Sequence, residues 1–298
     1  MINKEVTQQT YLEESHKVNE LWRIWRIFIG RGVVLFGIIV ITILILTALF
    51  APLLAPYDPY DQKLEDMLLS PSKEHLLGTD ALGRDILSRI IYGSRNSLMV
   101  GIVALGIAAT LGMIMGLAAG YFGGWVQLFI MRFIDALMSF PMILLALVFA
   151  SLLGGGLRNV MIALGISLLP GYARIMCGQV LSVKENDYIL AEHSLGASNL
   201  RVMLRHILPN CFPPLIVLVT LQMGAAILAE AGLSFLGIGI EPPGAAWGAM
   251  VNDGYHYLIT NPILSFAPGM AIMLVVFSFN MVGDGLRDAL DPRLRGVI

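Results

Sequence analysis

Long apolar runs separated by short polar segments dominate the chain. A membrane-crossing helix needs about 20 mostly apolar residues, because the hydrocarbon core is about 30 Å thick and each helical residue adds about 1.5 Å. The first run, VVLFGIIVITILILTALFAPLLA, contains no charged residue. Six runs are long enough, and they cover residues 33–55, 97–120, 129–153, 157–177, 210–231 and 263–283. The pattern therefore predicts an all-α membrane protein with about six transmembrane helices.

Composition supports this class and argues against several others. Of the 298 residues, 57% are hydrophobic and 13% are charged, whereas a soluble domain carries about 25% charged residues. The net charge of −2 gives no electrostatic basis for binding nucleic acid. The two cysteines, Cys177 and Cys211, form neither a CxxC pair nor a disulfide framework. We expect both to be small, buried hydrophobic side chains.

Lysine and arginine are distributed unevenly between the two sides of the predicted bundle. With the N-terminus in the cytoplasm, thirteen of them fall in inner segments and six in outer segments. The positive-inside rule then places both termini in the cytoplasm. The transmembrane domain covers residues 33–298, with outer segments at 56–96 and 232–262 and an inner loop at 178–209. Residues 1–32 form a cytoplasmic tail, whose segment VNELWRIWRIFIGR is either an interfacial amphipathic helix or an extension of the first span.

Small residues recur at every fourth position of the second predicted span. This spacing puts them on one helix face, and small faces let transmembrane helices approach closely. The pattern predicts a packing surface and says little about function. The stripe comprises Ala104, Ala108, Gly112, Gly116 and Gly120.

Charged residues inside the predicted spans are candidates for a transport path or gate. Glu230 follows a nearly charge-free run near the outer end of the fifth span. We interpret it either as an interfacial residue or as a polar lining of the path. Arg132 and Asp135, three residues apart at the inner mouth of the third span, indicate an ion pair or a gate.

No catalytic or metal-binding pattern stands out. In the outer cluster 80–89, we expect Thr79 or Asp80 to cap a helix and Asp85 to pair with Arg89. The five histidines fall in different segments without ligand spacing, and no HExxH, GxSxG or GxxxxGK[ST] motif occurs. The chain is therefore predicted to be no enzyme and to bind no metal or cofactor. Any energy from ATP must come through a partner.

The inner loop 178–209 carries the clearest functional pattern. Residues 188–195 form a short helical run, Gly196 is placed to end it in a left-handed conformation, and Ser198 can start a second helix. Apolar side chains such as Tyr188 and Ile189 would be costly to leave in water. They predict either a partner surface or a hairpin that folds back on the bilayer.

This loop resembles the EAA loop of ABC-importer permeases, Glu-Ala-Ala-x3-Gly-x9-Ile-x-Leu-Pro. We call it the EAA-like loop (residues 178–209), since Leu190, Glu192 and His206 replace the first Glu, the second Ala and the Ile of the motif. Further blocks resemble the permease family for dipeptides, oligopeptides and nickel, and more narrowly its C-type subunit, from about residue 20 onward. They read HLLGTDALGRDILSRIIYGSRNSL (75–98), GYFGGWVQLFIMRFIDALMSFP (120–141), GLSFLGIGIEPPGAAWGAMVND (232–253) and FNMVGDGLRDALDPRLR (279–295).

The resemblance implies a type I ABC-importer permease fold in the bacterial cell membrane. A second, homologous permease subunit would supply the other half of the path. Two cytoplasmic ATPases, holding ATP and Mg²⁺, would bind the EAA-like loops, and an external binding protein would deliver the substrate. ATPase closure would then switch the bundle between inward-open and outward-open states. The residues expected at the ATPase contact are Tyr188, Ala191, Glu192, Gly196, Leu208 and Pro209.

The sequence leaves alternatives open for the transported substrate and for the energy source of transport. Peptides are the first expectation, and nickel or a metal chelate is the second. A stand-alone secondary transporter or channel is a further hypothesis, but it would be expected to show internal repeats and coupling carboxylates within its spans. Only Glu230 is a candidate for such a carboxylate. A membrane-embedded enzyme has the least support.

Overall fold

The computed structural model describes residues 30–241 and 243–290, and helices account for nearly all of the regular structure there. The only β feature of these residues is an isolated bridge between Thr79 and Asp85. The helices are α1 Gly32–Leu49, α2 Ile86–Phe122, α3 Gly124–Met138, α4 Met142–Leu153, α5 Gly156–Lys184, α6 Asp187–Ser194, α7 Asn199–Phe235, α8 Trp247–Tyr255 and α9 Ile263–Leu290. Two short helical turns, Ala51–Leu54 and Leu64–Asp66, lie between α1 and α2.

The number of transmembrane helices agrees with the prediction, but one of them is broken. Helices α1, α2, α5, α7 and α9 are long and apolar enough to cross a membrane, and the pair α3–α4 raises the number to six if it counts as one span. The axes of α3 and α4 meet at 92°. Pro141, just before α4, has no N–H to donate and disfavours a helical Phe140. A continuous third span over 129–153 was therefore wrong.

The other predicted boundaries also move, mostly because the helices are longer than the apolar runs. Helix α2 starts at Ile86 rather than at 97, because Asp85 accepts a hydrogen bond from the Ser88 N–H at 2.8 Å and caps the helix. Polar residues in its first turns are buried rather than exposed to water. The outer segments thus shorten to residues 56–85 and 236–262, and the second contains α8. The amphipathic segment predicted before the first span lies almost wholly outside the described residues.

Helices α2 and α5 form a tightly packed pair at the centre of the bundle. A Cβ atom on Gly112 would lie 2.6 Å from the Tyr172 Cβ, and one on Gly120 would lie 2.7 Å from the Val180 Cβ. These distances are far shorter than a normal carbon–carbon contact of about 3.5–4.0 Å. The small-residue stripe is buried along its length against α5, and it includes Ala104, Ala108 and Gly116. Only very small side chains can occupy this face.

Residues 56–85 and 243–255 pack together at the end of the bundle where α2 begins, and we call them the cap. Arg89 joins both parts of the cap, since its Nη1 donates to the carbonyl oxygens of Pro59 at 3.1 Å and Pro243 at 3.3 Å. Trp247 is buried and donates from its ring nitrogen to the Ile90 carbonyl at 3.0 Å. The cap is therefore fixed to the start of α2.

The ion pairs inside the cap differ from those predicted. Arg84 Nε donates to Asp80 at 2.6 Å, and Arg89 Nε lies 3.6 Å from the same carboxylate. Asp85 instead bonds His75 Nδ1 at 3.0 Å and caps α2. The predicted Asp85–Arg89 pair and the predicted cap at Thr79 or Asp80 were wrong, because helix α2 begins only after Asp85. All five charged or titratable residues are buried.

Candidate functional site: the EAA-like loop

Helix α6 forms the projecting part of the EAA-like loop. It starts at Asp187, after Asn186, and its last turn ends at Ser194. Gly196 has φ +80°, and the Ala197 N–H donates to the Glu192 carbonyl at 3.1 Å. The predicted left-handed end at Gly196 is confirmed. This geometry reverses the chain in a few residues and returns it to the membrane end of the loop.

The second helix of the loop is not a separate element. It follows Ser198 and runs without interruption into α7, so residues 199–209 belong to the fifth span. Its turns over Val202–Ile207 are π-helical. Pro209 lies two residues after these turns, and a proline ring clashes with the carbonyl four residues before it in a normal α-helix. A wider π turn relieves that clash, and such turns are frequent at functional sites.

One apolar side chain of α6 packs inside the chain, and its neighbours do not. Ile189 is 1% exposed and packs in one buried cluster with Val202 and Ile207. By contrast, Leu190 is 69% exposed and Leu195 is 84% exposed. The expectation that Ile189 meets a partner was wrong, because it anchors α6 to the start of α7. Leu190 and Leu195, which follow this anchor along the chain, stay exposed.

Polar contacts tie the loop to the end of α2. The Tyr121 hydroxyl donates to Asn199 Oδ1 at 2.9 Å, and Lys184 Nζ donates to the Tyr121 carbonyl at 2.8 Å. Asn210 Nδ2 lies 3.3 Å from the Tyr188 hydroxyl. Sequence reasoning missed Tyr121 and Asn199, because they lie 78 positions apart and no local pattern connects them. These contacts hold the loop, on both sides of α6, against the end of α2.

The six residues expected at the ATPase contact occupy one end of the molecule. Tyr188, Ala191, Gly196 and Pro209 are exposed, whereas Glu192 and Leu208 are partly buried. The Oε1 atom of Glu192 lies 3.5 Å from His206 Nε2. Two of the residues that depart from the EAA motif, Glu192 and His206, are thus neighbours in space.

The candidate path and gate residues lie in other parts of the bundle. Glu230 is 1% exposed, its Oε1 accepts a hydrogen bond from Ser234 Oγ at 2.6 Å, and no partner for its Oε2 is found among the described residues. It lies inside the chain and not at an open surface. Asp135 bonds Arg174 of α5, and Arg132 Nη1 lies 3.7 Å from the same carboxylate. Sequence reasoning missed Arg174, which brings α3 and α5 together.

The family of the chain follows from a comparison with known proteins. A model of the family described as "binding-protein-dependent transport system inner membrane component" matches residues 108–296. This chain belongs to that family. A second model, the "N-terminal TM domain of oligopeptide transport permease C", matches residues 20–71. The protein is thus an ABC-importer permease of the peptide and oligopeptide group, as the resemblance indicated.

Curated relatives and a solved structure agree with this assignment. The dipeptide transport system permease protein DppC of Alkalihalophilus pseudofirmus is 44% identical over 87% of this chain and 85% of its own length. The glutathione transport system permease protein GsiD of Pectobacterium atrosepticum is 41% identical over 92% of both chains. A permease-like fold also occurs in the inward-facing MetNI methionine ABC transporter. That match has a TM-score of 0.55 and 18% identity, and it covers 69% of this chain and 98% of the other.

Proposed function

We propose that this permease forms one half of the translocation path of an ATP-driven importer of di- or oligopeptides. A second, homologous permease subunit supplies the other half. Two cytoplasmic subunits bind ATP and Mg²⁺ and hydrolyse the nucleotide, so this chain itself holds no cofactor and catalyses no reaction. An external binding protein delivers the substrate. The assembly lies in the bacterial cell membrane with both permease termini in the cytoplasm.

The EAA-like loop is the contact that transmits ATPase movement to the path. The observation that carries this proposal is the exposed apolar surface of a loop that is otherwise firmly anchored. Leu190 on α6 and Leu195 just after it, with Leu200 and Leu204 at the start of α7, are each at least half exposed. Contiguous exposed apolar surface marks an interaction site. Because Ile189 holds α6 to α7, a push on these leucines reaches the fifth span directly.

The peptide cargo is supported by the relatives, whose names specify dipeptide and glutathione transport. Both molecules are short peptides, so a short peptide is the common chemistry. The orientation is supported by charge, since thirteen of the 19 lysines and arginines fall in sequence segments predicted to lie on the side of the EAA-like loop. These residues include Arg31, Arg174, Lys184, Arg201, Arg205 and Arg287.

The test is a cysteine cross-link from the most exposed leucine of the loop. In a Cys177→Ser, Cys211→Ser background, Leu195→Cys is introduced into the complete transporter in native membranes. A bifunctional thiol-to-amine reagent should capture an ATPase subunit, and the yield should change with ATP, because the loop moves with the ATPase dimer. Mass spectrometry of the cross-linked peptide identifies the partner.

The matched control places a cysteine at Ile259, which is fully exposed in the segment between α8 and α9. This segment lies at the opposite end of the bundle and should capture no ATPase. A failure of Leu195→Cys to capture ATPase, in membranes that contain the whole transporter, would contradict the proposed coupling role. Capture at both sites would contradict the proposed orientation.

A further inference from the structure

A cleft of about 390 Å³ lies between α6 and the start of α7. The turn at Gly196 forms one side of it, and the π-helical segment forms the other. Its lining includes Glu192, Leu195, Gly196, Arg201, Arg205 and His206. Leu195, the most exposed leucine of the loop, lines the cleft, so a partner that covers Leu195 also covers the cleft.

The charges around this cleft are unbalanced. Glu192 contributes one negative charge to the lining, and Arg201 and Arg205 contribute two positive charges, so positive charge is in excess whatever the state of His206. Both arginines are exposed, and within residues 30–241 and 243–290 neither has a carboxylate oxygen within 4.0 Å. A guanidinium presents five N–H donors in a planar fork that matches a carboxylate. The lining therefore suits an anionic group.

We propose that the cleft receives an acidic side chain of the ATPase subunit, which Arg201 and Arg205 bind. The inference rests on the proposed coupling role of the EAA-like loop and adds the chemistry of the partner surface. Leu195 is at the edge of the cleft and Leu200 directly precedes Arg201. A protein surface with an acidic residue next to apolar ones fits both features at once. A lipid phosphate would bind the arginines but would leave the side chains of Leu190 and Leu195 exposed to solvent.

The charge arrangement also fits the departures from the EAA motif. Leu190 occupies the position where the motif has glutamate, so the projecting helix offers an apolar side chain there. Glu192, an acidic residue of α6, lies 3.5 Å from His206 inside the cleft. The exposed charged residues that line the cleft, Arg201 and Arg205, are basic, and the complementary surface is acidic.

Charge reversal in the complete transporter tests the proposal. The double variant Arg201→Glu, Arg205→Glu should lower the amount of ATPase retained on the affinity-tagged permease at least about tenfold, since like charges then meet across the contact. The variant Arg201→Lys, Arg205→Lys keeps the charge and should retain ATPase to within about threefold. Arg287→Glu makes the same type of charge change at the end of α9 and should retain ATPase like the wild type. An acidic-to-lysine library of the ATPase should contain a suppressor of the double variant.

The outcomes separate this inference from the proposed function. If Leu195→Cys captures the ATPase but the double glutamate variant retains it fully, the cleft proposal is wrong and the coupling role stands. If Leu195→Cys captures no ATPase, the coupling role itself fails. If wild-type permease loses the ATPase equally when anionic lipid is left out of the membrane, a lipid headgroup is the ligand and the proposal is overturned.

Discussion

The cap and the EAA-like loop lie at opposite ends of the bundle, and they differ in the burial of their charged residues. In the cap, Arg89 is 3% exposed and donates to carbonyl groups of two separate segments, while Asp80 accepts from Arg84. In the loop, Arg201 and Arg205 are exposed beside a cleft. Buried charges are tolerated only when they are paired and hydrogen-bonded. The charges of the cap are thus satisfied within this chain, whereas the two arginines of the loop stay exposed.

The apolar residues of the two regions show the same difference. Trp247 of the cap is buried, and its ring lies where a Cβ atom on Gly93 would come within 2.6 Å. In the loop, only Ile189 of the larger apolar side chains on α6 is buried. The cap is thus packed within the chain, whereas the loop is anchored at Ile189 and leaves its other large apolar side chains exposed. Four substitutions, three of them with a matched control, test this difference between the cap and the loop.

The largest effect on stability is expected from Arg89→Ala. The substitution leaves Asp80 with one cation instead of two and removes the bonds between the two parts of the cap. Breaking a buried charge pair costs about 3–5 kcal/mol; here Asp80 keeps Arg84, and the carbonyl groups of Pro59 and Pro243 lose their buried donor. Denaturant titration of the purified protein in detergent measures the loss.

Arg95→Ala is the control, since Arg95 lies on the same helix and is exposed. It should change the free energy of unfolding by less than about 0.5 kcal/mol. Equal effects of the two substitutions would show that the cap is not held by its buried charges, and the contrast with the loop would disappear.

Ile189→Ala should come next, and its effect should be local. Truncation of a buried isoleucine costs about 2–5 kcal/mol in lost burial and residual cavity. Because Ile189 is the anchor of α6, hydrogen exchange should accelerate at the α6 amides and not in the cap. Coupling of ATP hydrolysis to transport should weaken in parallel.

The neighbouring substitution Leu190→Ala provides the comparison for this experiment. Leu190 is 69% exposed, so its truncation should leave exchange in α6 unchanged. Its effect should appear in ATPase binding alone. Accelerated exchange in both variants would mean that α6 has no single anchor.

Gly116→Ala tests the α2–α5 pair that connects the two regions. A Cβ atom there would overlap the Ala173 carbonyl oxygen, which belongs to a helix backbone and cannot rotate away. Overpacking of this kind costs about 1–3 kcal/mol. Gly106→Ala on the same helix meets no atom within 4 Å and should be neutral or stabilising. If Gly116→Ala leaves the free energy of unfolding unchanged, α2 and α5 can move apart easily, and their packing would transmit little movement between the cap and the loop.

The sequence was sufficient for the features that depend on local or periodic patterns. The apolar runs predicted the number of spans, and φ +80° at Gly196 agrees with the predicted end of α6. The four-residue spacing of small side chains predicted a packing face, and the face is buried. Each of these follows from helix geometry or from the burial of apolar surface, which one segment expresses by itself.

The features that the sequence did not predict depend on contacts between distant segments. Residues 86–96 were predicted to belong to an outer segment, although they form the start of α2, where the cap buries Ser88 and Arg89. Ile189 looked like a partner contact until Val202 and Ile207 were found against it. The pairing of Arg174 with Asp135 joins residues 39 positions apart. No short pattern encodes such distances.

The smallest expected effect concerns Asp253, at the edge of the cap. Its carboxylate oxygen lies 3.9 Å from Arg84 Nη2, and its side chain is 56% exposed. Partial burial raises the pKa of Asp253 above its ordinary value of 3.8, and the nearby Arg84 and Arg89 offset this only in part. The folded protein therefore holds this proton more tightly than the unfolded chain. Through Asp253, stability should fall as the pH rises from about 4 through the raised pKa.

Asp253→Asn removes this titration and should flatten that part of the pH profile. Thermal unfolding of wild type and variant between about pH 4 and pH 7 measures the difference. We expect the stability of the variant relative to the wild type to increase as the pH rises, because only the wild type then carries a partly buried charge at position 253. If the stability of the wild type increases relative to the variant instead, the ion pair with Arg84 outweighs the desolvation of the Asp253 carboxylate. Asp253 would then belong with the satisfied charges of the cap, and the boundary of the fixed region would extend to the end of α8.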